Sequence, residues 1–444
     1  MSLFLQHSHH ARITRNVIAL GLVSLFTDAA TEMIYPLVPV FLISLGSGVF
    51  LLGVIEGIAE TTAAMLKLVS GTLSDKSGKR KPLVVIGYAI STIIRPLTGA
   101  VSAAWQIVFI RMIDRTGKGI RTAPRDALIA SSVDDRIRGK AYGFHRAMDH
   151  TGAVVGPFLS LSALAILILC FHVQNPLTAL RHTFLFAAIP GFLALLTLIF
   201  LVREKPVPDS TDRKTPFSWK QFDKNFMNYL WIITLFTLGN SSDAFLLYRI
   251  QGAFHQNGTI TSMISNTPVI GDIISRFADP AAQQRLQEIL LVLLAWAFFH
   301  IIKAVFSTRL GSLSDKAGRK TVIRIGWCIY TFVYVAFAML DRFPYNNQII
   351  ITFALFALYA LYYAFCEGAE KAFVADLVPS EKRGSAFGMF HFATGLAALP
   401  ASVIFGLLYK NIGPAAAFGT GAMIAFVSLL LFTILVTEKN ITPF

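Results

Sequence analysis

Apolar runs of about 20 residues recur along the whole chain, each near the length that spans roughly 30 Å of hydrocarbon. Twelve are readable, at 14–45, 49–72, 82–102, 105–131, 140–171, 182–202, 225–252, 287–310, 321–340, 349–376, 384–409 and 414–436. Several exceed a straight span, which predicts tilt or interfacial ends. The fourth departs from the others. Between Trp105 and Ala130 it carries Arg111, Asp114, Arg115, Lys118, Arg121, Arg125 and Asp126. At about 100° per residue these charges fall within an arc of roughly 140°. Arg111, Arg115, Lys118 and Arg125 form the centre of that arc, and Phe109, Ile113, Thr116, Ile120, Ala123 and Ala127 make the opposite face. A charge facing hydrocarbon costs about 2.5–3.5 kcal/mol, so the charged face is expected to look into protein or water.

Composition agrees with a multi-pass membrane protein. Hydrophobic residues make up 55% of 444 and charged ones 14%, where a soluble chain has about a quarter; mean hydropathy is +0.61. The net charge of +14 would suggest nucleic acid, but its distribution excludes that partner. The bases gather in alternate connections: Lys76, Lys79, Arg80 and Lys81; Arg136, Arg138 and Lys140; Arg203, Lys205, Arg213 and Lys214; Lys316, Arg319 and Lys320; Lys382 and Arg383. The positive-inside rule then places these connections and both termini in the cytoplasm. Residues 1–13 show no cleavable signal pattern, and His7, His9 and His10 read as solvated. Cys170, Cys328 and Cys366 form neither a disulfide framework nor a metal spacing.

The chain repeats itself. GTLSDKSGKRK at Gly71–Lys81 returns as GSLSDKAGRK at Gly311–Lys320, a shift of 311 − 71 = 240 residues. RGKAYGF at Arg138 returns as RGSAFGM at Arg383, a shift of 383 − 138 = 245. Two collinear matches indicate a duplicated six-span unit. The predicted division is a bundle at 1–202, a charged linker at 203–223 with Pro206, Pro208 and Pro216, and a second bundle at 224–444.

The duplicated Gly-x-Leu-Ser-Asp-Lys-x-Gly stretch, between spans two and three and again between eight and nine, resembles the signature loop of the major facilitator superfamily. The resemblance implies an all-α membrane protein of twelve transmembrane helices in two pseudo-symmetric six-helix bundles. It further implies a secondary transporter in a bacterial inner membrane, functional as a monomer and without a cofactor. Gly71, Gly78, Gly311 and Gly318 would allow close helix contact and tight turns. In the family the aspartate, here Asp75 or Asp315, faces the amino end of a helix of the opposite half, where the macrodipole favours an anion. The bases, here Arg80 and Arg319, reach acids at nearby helix ends, for which Asp134 and Asp135 are the candidates. Together these residues would latch the cytoplasmic side. Gly143, Gly152 and Gly156-Pro157 resemble the glycine-proline motif of the superfamily's antiporters, with Ser160-Leu161 in place of the closing Gly-Gly; helix packing around a kink explains the same residues. Arg115 and Gly119 fit the family's arginine motif, which Arg121 breaks.

Aligned at the 245-residue shift, Arg125-Asp126 corresponds to Glu370-Lys371 with the signs exchanged. Span ten puts Phe356, Tyr359, Tyr363, Glu367, Glu370 and Lys371 on one face, and Glu56, Glu60 and Lys67 share a face of span two. In the superfamily, spans one, two, four, five and their counterparts line the central cavity. One reading of the embedded charges is mutual neutralisation: Asp28, Glu32, Glu56, Glu60, Asp114, Asp126 and Asp149 against Lys67, Arg95, Arg111, Arg115, Lys118, Arg121, Arg125 and Arg146. The other leaves some of them to carry protons or bind. Asp28/Glu32 and Glu56/Glu60 cannot all stay ionised cheaply when close, and Lys118, Arg121 and Arg125 offer a point charge and guanidinium forks to an anionic small-molecule substrate. His145, Asp149 and His150, with His300 and His391 opposite, form an alternative transition-metal set. The long connection at 253–286 reads as an external lid or disordered loop. The first expectation is proton-coupled efflux of a small solute. The alternative is proton-coupled uptake of an anionic metabolite or a metal chelate such as a siderophore-like polycarboxylate, and a divalent-metal transporter comes third. The chain has no Gly-x-Ser-x-Gly, HExxH, P-loop or selectivity-filter pattern, so it is not expected to be an enzyme, a channel or an ATP-driven pump.

Overall fold

The computed structural model describes residues 13–38, 41, 45, 49–171, 173, 176–204, 222–241, 243, 245, 246, 280–343 and 345–438. Among them all regular structure is helical. The first copy supplies α1 (Arg15–Glu32), α2 (Val49–Ser77), α3 (Lys81–Ile94), α4 (Ala104–Ser131), α5 (Arg138–Leu169), α6 (Pro176–Phe186) and α7 (Ala188–Leu201). The second supplies α8 (Lys224–Gly239), α9 (Pro280–Ala317), α10 (Arg319–Ala338), α11 (Tyr345–Leu377), α12 (Arg383–Asn411) and α13 (Pro414–Leu435). Helices α6 and α7 form one apolar stretch, Leu177–Leu201, so thirteen described helices make the twelve expected spans. The break at Ala187 has a cause: Pro190 cannot donate the backbone N–H that would continue the helix. Pro96 acts alike after α3, where Arg95–Ala100 tightens into a 3-10 helix.

Among the described residues seven spans qualify as membrane-crossing on length and apolarity. Helix α4 fails that test because of its own charges, and the structure shows where they go. Arg111, Asp114, Arg115, Arg121, Arg125 and Asp126 are buried, whereas Phe109 and Ile113 on the other face are exposed. The polar arc is turned into protein. Exposed Ile189, Phe192, Leu196 and Phe200 on α7, and Met423, Phe426, Leu430 and Ile434 on α13, form the outer apolar surface a bilayer covers.

Two readings of the connections change. The signature stretch is mostly helix: α2 runs on to Ser77 and α9 to Ala317, so the turn narrows to residues 78–80 and to Gly318, where Gly78 and Gly318 have φ of +64° and +91° that a side chain would strain. Helix α9 also begins at Pro280, so the end of the expected external loop is helical, and its 253–279 part lies outside the described residues. Residues 205–221 of the expected linker lie outside them as well.

The two copies meet through crossed pairs. Helix α2 packs on α12 and α5 packs on α9. Glycine sets the approach: a Cβ on Gly71 would strike the Gly384 carbonyl, and one on Gly311 would strike that of Gly139. Backbone against backbone leaves no side chain to move aside. Both crossings lie at the ends that carry the basic connections, termed here the basic face.

Candidate functional site

At the basic face the two copies clasp each other in related ways. Asp75 Oδ1 and Oδ2 accept from the N–H groups of Gly384 (3.0 Å) and Ser385 (2.6 Å) at the start of α12. Asp315 accepts from Gly139 (2.8 Å) and Lys140 (2.7 Å) at the start of α5. Each carboxylate satisfies orphan first-turn donors at the positive end of a helix dipole. The arginines then diverge. Arg80 pairs with Asp75 at 3.6 Å and donates to the carbonyls of Ala127 (3.3 Å) and Ser380 (3.0 Å). Arg319 pairs with Asp315 and with Asp376 at 3.2 Å, and Asp376 also holds Arg138 at 2.5 Å.

The expected acids are therefore corrected. Asp134 takes the exposed Arg136 at 3.0 Å, and that hydrogen bond holds its carboxyl below the usual range. The Asp135 carboxylate takes Arg138, and only its carbonyl reaches Arg319, at 3.1 Å. Asp376 is the partner the sequence reading missed. In the first copy the aligned position, 376 − 245 = 131, is Ser131. This asymmetry gives a prediction. Arg80 is buried, and Asp75 is the single carboxylate paired with its guanidinium among the described residues, whereas Arg319 keeps Asp376 when Asp315 is neutralised. Asp75→Asn should cost about 3 kcal/mol, as for a buried ion left unpaired, and Asp315→Asn about 1.5 kcal/mol. Denaturant titration of the two variants checks the order.

Deeper in, Asp126 is fully buried and serves three bases. Arg125 approaches at 3.0 Å, Lys371 of α11 at 2.7 Å and His391 Nε2 of α12 at 2.8 Å. Arg125 also donates to the Tyr88 hydroxyl at 3.4 Å. Arg121, expected to face a substrate, is committed within the first copy instead. It donates to Gly87 O (3.2 Å) and Ser91 Oγ (2.5 Å) and lies over the Tyr88 ring at 4.4 Å. Arg95 does the same with Asp114, at 2.7 Å. Lys118 is half-buried and, like Arg111, Arg115 and Lys67, engaged with its surroundings.

A second set runs across the middle of the interface. Gly152 and Gly156 let α5 lie directly on α1 beside Asp28 and Glu32. The Asp149 carboxylate, on α5 one turn before the Gly152 that packs on Asp28, takes Ser24 Oγ (2.5 Å) and Arg146 (2.6 Å). Arg146 reaches Glu367 of α11 at 3.8 Å; Glu367 further takes His150 Nε2 at 2.8 Å and Lys303 of α9 at 3.3 Å. His150 and His300 meet through their Nδ1 atoms at 3.2 Å. Lys303 lies over the Tyr363 ring at 3.9 Å, and Tyr359 and Tyr363 donate to Asp243 at 2.7 and 3.0 Å.

Two expected members stand apart. Glu370 turns within the second copy and accepts from Trp327 Nε1 at 3.0 Å. His145 is buried, and neither ring nitrogen has a hydrogen-bond partner among the described residues. The side chains of Glu56 and Glu60 lie outside the described residues. The metal set does not assemble: His391 goes to Asp126, and among the described residues no group of three or more His, Cys, Asp or Glu could hold a metal ion.

Lys303, Asp243 and Asp376 were missed although each is a charge inside or at the end of an apolar run. Glu204 and Glu438 were missed too. Glu204 caps Lys81 N (3.2 Å) at the start of α3, and Glu438 caps Lys320 N (3.2 Å) at the start of α10. Their signal is legible: Arg203-Glu204-Lys205 and Thr437-Glu438-Lys439 follow the sixth and twelfth spans, 438 − 204 = 234 residues apart.

The family model described as Major Facilitator Superfamily matches residues 20–299 and 280–443. An uncharacterized MFS-type transporter of Methanocaldococcus jannaschii is 35% identical over 422 residues, 95% of each chain. A multi-drug resistance efflux pump of Streptococcus pneumoniae, PmrA, is 25% identical over 43% of this chain and 45% of its own. The human organic anion transporter MFSD10 (TETRAN) superposes with a TM-score of 0.65 at 14% identity, covering 94% of this chain and 99% of that one, which is a likeness of fold. Duplicated clasp, crossed glycine contacts and whole-chain match converge: the chain belongs to the major facilitator superfamily and is a multi-pass membrane transporter, not an enzyme.

Proposed function

We propose that the protein is a proton-coupled carrier of a small organic anion, with bundles at 1–202 and 224–444 rocking about the interface and the basic face in the cytoplasm. The observation that carries this reading is one series of acid and base groups across both copies: Asp149, Arg146, Glu367, then His150 and Lys303, with Asp28 packed beside its first member's helix. Asp28 and Asp149 are neighbouring carboxyl groups on packed helices, and neighbouring carboxylates do not both stay ionised cheaply, so the series has a place to hold a proton there. The contacts of Glu367 with α5, and of Asp126 with α11 and α12, join opposite copies. Opening the basic face must break them, and an ionised carboxylate left alone in a dry interior is costly. A proton on each removes that cost.

The sign of the coupling follows. A proton on Glu367 takes the counter-charge from Lys303 and Arg146, and one on Asp126 takes it from Lys371 and Arg125. An anion restores it through the same guanidinium and ammonium groups. Proton and anion then load together and travel the same way, which favours uptake over the efflux expected first from sequence. Efflux stays as a second reading, supported by the Gly143–Pro157 pattern and by the relative named as an efflux pump. Purified protein in liposomes with an internal pH dye separates them. Under an imposed gradient of a polycarboxylate series, the proposal expects the lumen to acidify as the transported anion enters, and Glu367→Gln to abolish that acidification. Alkalinisation on entry, or anion flux without proton flux, overturns it.

A further inference from the structure

We infer that the cleft between the start of α1 and the ends of α4 and α7 is a binding site for the head group of an anionic phospholipid. The cleft is about 550 Å³ and opens at the basic face. Its rim carries Arg15 and Arg203, both exposed, and among the described residues no acidic side chain forms an ion pair with either. The floor is built. Asn16 donates to Ser132 Oγ at 2.6 Å and accepts from the backbone N–H of Arg203 at 2.8 Å, which ties the three elements together. Below the rim the wall is apolar, formed by Ile18, Leu22 and Phe200, and Phe200 is 73% exposed toward the bilayer. Two guanidiniums over an apolar wall at the depth of the membrane surface match a phosphodiester over its acyl chains. Arginine presents a planar fork to phosphate and is weakly hydrated, so it suits the interface better than lysine.

The second copy supplies a control. There Asn225 makes the equivalent tie to Thr437 (2.7 and 2.9 Å), but the rim has Lys224 and Thr437 where the first copy has Arg15 and Arg203, and Asp223 adjoins Lys224. The same fold therefore carries two forks on one side and a single ammonium on the other. Neither proton coupling nor substrate binding uses Arg15 or Arg203, so this inference stands apart from the proposed function.

The test is thermal unfolding of the full-length protein, delipidated in neutral detergent, with dioleoylphosphatidylglycerol, dioleoylphosphatidylcholine or inorganic phosphate added. Phosphatidylglycerol should raise Tm by about 3 °C, phosphatidylcholine and phosphate should not, and Arg15→Gln with Arg203→Gln should remove most of the rise while Lys224→Gln keeps it. If the double variant does not fold, Arg203→Gln alone, whose backbone still serves Asn16, should lose about half of it. An equal rise with phosphatidylcholine, a rise with phosphate alone, or an unchanged rise in the arginine variants overturns the inference.

Discussion

Replacing Asp126 by alanine should abolish transport and lower stability by about 3–5 kcal/mol, the cost of removing one partner of a buried ionic cluster. Asp126 has no exposed surface and is the common acceptor of Arg125, Lys371 and His391. Its loss leaves a guanidinium and an ammonium facing each other in a water-poor interior. Asn at the same place keeps the hydrogen bonds to one side but not the charge, so it should cost less while still failing to transport. Melting and transport of the two variants, measured on the same reconstituted samples, check this. A melting point within about 1 °C of the parent for Asp126→Ala, the shift of about 1 kcal/mol in a chain this size, would mean the cluster is solvated and not a joint between copies.

For turnover, Gly311→Val should be the next most damaging change. A Cβ there would meet the carbonyl oxygen and carbon of Gly139 and the Cα of Gly143, all backbone. Nothing can rotate away, so α9 must back off from α5, and Asp315 with it from the N–H groups of Gly139 and Lys140. Overpacking of this kind costs about 1–3 kcal/mol. Here the cost falls on the closed basic face alone, so the variant should populate the open form and slow turnover by about tenfold or more. Gly419→Val is the control, because a Cβ at Gly419 has nothing within 4 Å. It should be neutral in the same turnover assay, and equal slowing by both variants would show that valine acts through the helix and not through the crossing.

Most of the architecture was legible because it is written in long periods. Twelve apolar runs and two shifts of 240 and 245 residues are enough to specify a duplicated bundle. The buried charged arc of α4 could be read because lipid leaves it no other direction. The partners of those charges could not be read. Asp126 meets Lys371 and His391 across 245 and 265 residues, and no local pattern fixes which of several bases reaches a given acid. The same limit explains Asp376, chosen over Asp134 and Asp135 because α11 ends beside Arg138 and Arg319 while Asp134 turns outward to Arg136. Glu370 was misplaced for a simpler reason. It lies about 60° from Glu367 and about 100° from Lys371 around α11, on the side where the ring N–H of Trp327 reaches it. Lys303 and Asp243 escaped notice as lone charges in apolar runs, and lone charges in such runs are among the most informative residues in a membrane chain.

The central claim is that ion pairs between the two copies hold the basic face shut and that protons release them. The most direct test is the distance distribution between spin labels at Lys76→Cys and Lys316→Cys, exposed ends of α2 and α9, in protein with Cys170, Cys328 and Cys366 replaced by serine. The account predicts a single short distance in alkaline buffer, a longer component that grows on acidification, and the same longer component in Glu367→Gln without acid. A distribution unmoved by pH and unchanged in Glu367→Gln would contradict it.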